Sequence, residues 1–208
     1  QFTIKGFRSL MIYDDEWCKP FDENRKGLNL GEGAAFLLLE SEKSIDKTGN
    51  KPYGVLSGWH NAADAFHQTA SSPDGKGATL AMKNAIRKSA INPDEICYIN
   101  AHGTGTKNND LSESVAIKNI FKDNIPPFSS TKSFTGHTLA AAGAIEAVFS
   151  VLAMNNNVLF PNLNFRQSIS ETELTPQVKV QQVKNIKTVL SNSFGFGGNN
   201  SSLVFGKI

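Results

Sequence analysis

Cysteine is nearly absent from this 208-residue sequence. The two present, Cys18 and Cys97, cannot build a disulfide framework and fit a reducing compartment, the cytoplasm by expectation. An excess of charge of one sign is lacking too. The 21 Lys and Arg stand against 19 Asp and Glu, so a balance of +2 calls for neither a nucleic acid nor an anionic membrane as partner. Long hydrophobic runs are missing. The most apolar, 139–154, carries Gly143 and Glu146, falls short of the ~20 apolar residues of a spanning helix, and reads as a buried helix. No G-x-x-x-x-G-K-S/T or G-x-G-x-x-G pattern is present, which excludes the common glycine-loop nucleotide sites. There is no internal repeat and no low-complexity tract. An initiator Met and a basic-then-apolar leader are also missing from the opening QFTIKGFRSL, and the expectation is a piece of something longer.

What is there is an ordinary globular mixture, 39% hydrophobic and 19% charged, in a chain long enough to bury a core. The run AAFLLLE at 34–40 predicts a strand buried on both faces, and a second strand, broken by Gly54 and Gly58, follows at 53–59. Residues 75–90 place Ala78, Met82, Ala85 and Ile86 on one helical face. A short strand over 96–101 runs into a Gly/Thr loop. Asp110, with Glu113 three residues on, suggests a capping box that opens a helix over 111–121. A strand at 128–130, a covered Ala-rich helix at 138–155 and weaker strands at 158–163 and 178–183 come next. Two strands, 188–194 and 201–205, close the chain. Alternating strands and helices with paired strands at the end argue for a layered α/β fold with a mixed sheet.

Three glycine-rich loops carry the residues able to do chemistry. Asn100-Ala101-His102-Gly103-Thr104-Gly105-Thr106 leaves a strand, the place where α/β sheets hold ligands. His102 there suits proton or hydrogen-bond chemistry; the alternative is a turn whose His caps nearby backbone. The second loop, Ser130 to His137 (STKSFTGH), precedes the apolar helix. A His at a helix N-terminus is kept neutral by the local positive potential and can donate one N–H to a developing oxyanion. Lys132 must arrive from this loop; its alternative is a surface lysine. The third loop, NSFGFGGNN at 192–200, sets glycines beside Phe194 and Phe196. It offers exposed backbone N–H groups and an apolar wall, or else a plain hairpin.

Taken in order, Lys19-Pro20-Phe21-Asp22 with Arg25 and Gly27, Gly31-Glu32-Gly33-Ala34, AHGTGT at 101–106, KSFTGH at 132–137 and NSFGFGG at 192–198 cover nearly the whole chain. Together they resemble the C-terminal half of a beta-ketoacyl-acyl-carrier-protein synthase, a condensing enzyme of the thiolase fold. The resemblance implies that 1–208 is one C-terminal thiolase-like α/β domain, a mixed five-stranded sheet with covering helices. It would form one layer-pair of a five-layered α/β/α/β/α whole. By the same resemblance His102 and His137 would hydrogen-bond a malonyl thioester and stabilise its enolate, with Lys132 as the active-site lysine and Glu113 as that lysine's partner. Thr104 and Thr106 would touch the pantetheine arm, Phe194 would contact substrate, and Phe196 would be the gatekeeper whose N–H helps form an oxyanion hole. Asn100, Glu146 and Ser191 match positions that hold a structural monovalent cation in some members. No cofactor of the chain's own is expected, since phosphopantetheine arrives on the carrier protein. The expected partners are that acyl-carrier protein, the protein's own N-terminal half and a second copy of the whole. Arg25-Lys26-Gly27-Leu28, Lys107-Asn108 and Ala140 depart from the family pattern without touching the catalytic positions.

The family's nucleophile is a cysteine between small residues, upstream of all these motifs. Cys18, between Trp17 and Lys19, matches no such turn, and Cys97 sits in an apolar strand as a small hydrophobe. The chain thus carries half an active site and is expected to be inactive alone, with apolar surface exposed where the other half packs. The alternative is a non-catalytic partner subunit resembling a chain-length factor, which would need none of Lys132, His102 and His137.

Overall fold

The computed structural model describes residues 2–208. Its center is a five-stranded mixed sheet. In chain order the strands are β1 (Val55–Ala63), β2 (Tyr98–Asn100), β3 (Phe128–Ser129), β4 (Val158–Leu159), β5 (Gln181–Gln182), β6 (Thr188–Gly195) and β7 (Asn199–Gly206), of which β4 and β5 form a separate antiparallel pair. The spatial order is β1-β7-β6-β2-β3. β2 runs parallel to both β3 and β6, whereas β6, β7 and β1 are antiparallel neighbours.

The helices are α1 (Phe2–Ser9), α2 (Glu42–Thr48), α3 (Lys76–Lys88), α4 (Lys107–Phe121), α5 (Lys132–Thr135) and α6 (Ala142–Asn156). In α3, Ala78, Ala81, Met82, Ala85 and Ile86 recur at the three- and four-residue spacing of one face, and all are buried. That face and Ala116, Ile117 and Phe121 of α4 pack on Ile99, Leu190, Phe194 and Val204 of the sheet. On the opposite side Ala147, Ala153 and Met154 of α6 pack on Tyr98, Val189 and Phe205. The period-two alternation of β6 therefore sends Leu190, Asn192 and Phe194 toward α3 and α4, and Val189 and Ser191 toward α6. Gly58 lets α3 lie close on β1, for a Cβ there would stand 2.8 Å from the Ser89 nitrogen.

Several expectations need correction. Residues 34–40 form no strand: Phe36 is 94% exposed and Leu38 81%, so the run lies bare on this chain's surface. An apolar run signals burial, and nothing among the described residues covers this one. The expected capping box is also wrong. Helix α4 starts at Lys107, a turn earlier; Asp110 lies inside it and reaches back to the Gly105 N–H just ahead of the helix, and Glu113 accepts the His102 and Gly103 N–H groups instead of closing a box. The helix expected at 138–155 is present as helical structure from Leu139 to Asn156, but the expectation that it falls short of a spanning helix needs correction: by length and composition alone its 18 residues reach the lower bound for a membrane span. Its buried stripe packs on the sheet and holds Glu146 inside, and the rest of its surface is half-buried or exposed. The weaker strands at 158–163 and 178–183 shrink to the short β4 and β5.

Candidate active site

The loop after β2, the α5 loop and the β6–β7 turn converge at one end of the sheet. The rings of His102 and His137 meet edge to face, with centroids 5.4 Å apart and planes at 84°. Phe194 lies against His102 at 5.8 Å. Lys132 is buried, with Nζ 3.1 Å from His102 Nδ1, 2.6 Å from the His102 carbonyl oxygen, and in an ion pair with Glu146. The surface-lysine alternative is excluded.

These contacts settle which ring nitrogen carries the proton. His137 Nδ1 accepts the Leu139 N–H at 3.1 Å, and His102 Nδ1 faces the Lys132 ammonium. Each neutral imidazole then keeps its hydrogen on Nε2. Burial, followed by the nearby Lys132 charge, pushes the His137 pKa down to about 3. Burial, Lys132 and His137 drive His102 well below the ordinary histidine value. At neutral pH both rings are uncharged N–H donors.

A cavity of about 840 Å³ opens onto this pair. Thr104, Thr106, Phe194 and Phe196 line it together with both histidines. The two threonine hydroxyls are 2.8 Å apart. Phe196 is half-exposed at the turn, its ring stacked on Phe7 at 6.2 Å, and Gly197 and Gly198 behind it hold positive φ.

Glu113 is not the partner of Lys132. Its Oε1 accepts the His102 N–H at 2.9 Å and an Asn192 Nδ2 hydrogen at 3.0 Å, and its Oε2 accepts the Gly103 N–H at 2.8 Å. Glu113 thus holds the backbone of the histidine loop. Burial pushes its pKa up to about 7 against the pull of those donors. The lysine's partner is Glu146, whose pKa burial also raises while Lys132 lowers it. The signal for that role was a lone charge in an Ala-rich apolar run.

Asp110 was missed as a site-building residue. It accepts hydrogen bonds from the Gly105 and Phe21 N–H groups at 3.1 and 2.7 Å, and the Arg25 guanidinium lies 3.9 Å away. Arg25 itself donates to the carbonyls of Thr106, Lys107 and Asp22. The Lys19 to Gly27 motif therefore braces the 101–106 loop from behind. Cys18 is buried and burial lifts its thiol to about 11, the reverse of an activated nucleophile. Cys97 is half-buried at the lead-in to β2.

Asn100 and Ser191 stand opposite each other across β2 and β6, and Asn100 Nδ2 donates to the Glu146 carbonyl at 2.9 Å. The three residues predicted from a cation site thus lie together.

The profile of the family described as "Beta-ketoacyl synthase, C-terminal domain" matches residues 53–166, more than half of the chain. The chain belongs to the beta-ketoacyl synthase family. It is similar to the mitochondrial 3-oxoacyl-(acyl-carrier-protein) synthase of Arabidopsis thaliana, 42% identical over 93% of this chain and 43% of that protein. It is likewise similar to 3-oxoacyl-(acyl-carrier-protein) synthase 2 of Staphylococcus aureus, 41% identical over 99% of this chain and 51% of that protein. Among solved structures, a type II PKS acyl-carrier protein in complex with its ketosynthase bound to the hexaketide superposes with a TM-score of 0.94. It is 31% identical and covers 100% of this chain and 53% of its own. The chain spans about half the length of the curated relatives it matches. The thiolase-like α/β fold of a ketosynthase C-terminal half, with its mixed five-stranded sheet, is the one this chain adopts.

Proposed function

We propose that the chain is the C-terminal half of a 3-oxoacyl-acyl-carrier-protein synthase and supplies the malonyl-decarboxylating side of its active site. The observation that carries this reading is the pair of imidazoles, edge to face with centroids 5.4 Å apart, lining one cavity, with a buried Lys132–Glu146 pair behind them. In the whole enzyme a cysteine from the other half takes the acyl group by thioester exchange, releasing the carrier thiol. Malonyl-carrier protein then lays its pantetheine arm along Thr104 and Thr106. The His102 and His137 Nε2–H groups hydrogen-bond the malonyl thioester oxygen. When the carboxylate leaves as carbon dioxide, the electron pair of the broken C–C bond passes into an enolate whose oxygen these two donors stabilise. The enolate carbon attacks the acyl carbonyl, and the cysteine thiolate departs. Phe194 walls the apolar side, and Phe196 guards the mouth and gives its N–H to the acyl oxyanion.

The chain's own residues need no organic cofactor in this scheme. Asn100 Oδ1 and Glu146 Oε2 are buried without a hydrogen-bond donor among the described residues. With Ser191 opposite Asn100 across β2 and β6, this oxygen-bearing set fits a hard monovalent cation, which would neutralise charge behind the site. Acyl-carrier protein is the substrate-bearing partner, the N-terminal half the obligate one, and a homodimer the expected assembly of the whole, placed in the cytoplasm.

A partner subunit of the chain-length-factor kind has no use for two pre-set imidazole donors and a buried lysine. The test is the complete polypeptide carrying the upstream residues, assayed for carbon dioxide release from malonyl-carrier protein and for acylation of the upstream cysteine. Both activities are expected; a complete enzyme that releases no carbon dioxide above background overturns the proposal.

A further inference from the structure

Ser130, the first residue of the loop that carries Lys132 and His137, is wholly buried against the His102 loop. Its hydroxyl donates to the Gly103 carbonyl at 2.6 Å and accepts the Lys132 N–H at 3.3 Å. Its own N–H goes to Asn162 Oδ1 at 3.0 Å, and Asn162 Nδ2 donates onward to the Pro20 carbonyl at 2.9 Å. One oxygen thus bonds the residue after His102 and the backbone of Lys132, in loops brought together from opposite ends of α4. The space is tight: a Cβ on Gly103 would stand 2.6 Å from Ser130 Cβ.

We infer that Ser130 is a positioning residue for the condensation, its hydroxyl setting the spacing between Lys132 Nζ and the His102 ring. The inference rests on the proposed function and adds to it a residue that touches no substrate. Without the hydroxyl, the Gly103 carbonyl and the Lys132 N–H lose a buried partner and the two loops are free to slide apart. The acyl-accepting cysteine does not use this spacing, so acylation is unaffected while decarboxylation slows.

The test uses the complete enzyme with Ser130→Ala and Ser130→Cys, both of which fit the tight space around residue 130. Ser130→Ala is expected to lower kcat for malonyl decarboxylation about tenfold, with KM for the malonyl thioester and the acylation rate unchanged. Ser130→Cys, the size-matched weak donor, is expected to give an intermediate kcat. A wild-type kcat in Ser130→Ala, a parallel fall in acylation, or a kcat in Ser130→Cys no higher than in Ser130→Ala overturns the inference. Should Ser130→Ala not fold, Ser130→Cys decides alone: a lowered kcat with acylation intact supports the inference and an unaltered one ends it. Loss of decarboxylation in the wild-type enzyme itself would instead count against the proposed function.

Discussion

The Lys132 ammonium nitrogen lies 3.1 Å from Nδ1 of His102. A donor at that nitrogen forces the ring's own hydrogen onto Nε2, and the lysine charge opposes a second proton. Electrostatics and tautomer are thus set by one side chain, which Glu146 holds in place.

His137→Ala in the complete enzyme should abolish malonyl decarboxylation and spare acylation of the cysteine. One such donor is worth ~2.7–4 kcal/mol of transition-state stabilisation, on the order of a hundred- to thousandfold in rate. Single-turnover release of labelled carbon dioxide measures it, and a near-native rate would refute the donor role.

Lys132→Ala strands Glu146 in the interior. Removing one partner of a buried ion pair costs about 3–5 kcal/mol, read from urea unfolding. Replacing both, Lys132→Met with Glu146→Leu, should recover much of that loss while activity stays low. If the double variant is no more stable than Lys132→Ala, the pair is not the source of the cost.

Glu113→Ala leaves the His102 and Gly103 N–H groups without their acceptor. Each orphaned donor costs about 1–3 kcal/mol. Unfolding within about 0.5 kcal/mol of wild type would show that the carboxylate does not hold this loop.

Acid should unfold the protein in a defined window. An unfolded chain protonates His137 near 6.5, whereas the folded ring waits until about 3, so the unfolded state binds more protons in between and stability falls as pH drops. His102 adds to this in the same direction. Glu113 works oppositely: its folded pKa of about 7 against 4.5 means that stability declines as pH rises from 4.5 to 7. The opposing slopes leave the steepest acid loss between about pH 4.5 and 3. Urea midpoints across pH 3–8 check this. Decarboxylation by the complete enzyme should likewise show no acid limb from the histidines near pH 6.5; a limb centred there that persists in Glu113→Gln would mean that a charged histidine forms in the site.

Much of the site was legible because its residues stand in short glycine-rich runs, and those runs carry the family resemblance. His102, His137, Lys132, Thr104, Thr106, Phe194 and Phe196 come from three such runs, distant in sequence, which the fold brings to one end of the sheet. The pairing of Lys132 was not legible. Glu113 and Glu146 are both lone acids on helices, and only the tertiary fold decides that α4 presents its acid to the histidine loop's backbone while α6 presents its own to the lysine. The same limit explains Asp110: Asp and Glu three apart look like a helix cap until distant N–H groups claim them. The sheet was read correctly from 96 onward because each strand there is buried by helices of this same chain. At 34–40 the apolar pattern pointed to cover that this chain does not provide.

That bare stretch has a consequence for biogenesis. Phe36, Leu38 and Leu39 stand exposed on a segment that belongs to no helix or strand, an apolar surface on which another polypeptide can settle. Produced by itself, this half should therefore be a client for holdase chaperones, whereas synthesis behind a folded upstream half would give the segment an immediate resting place.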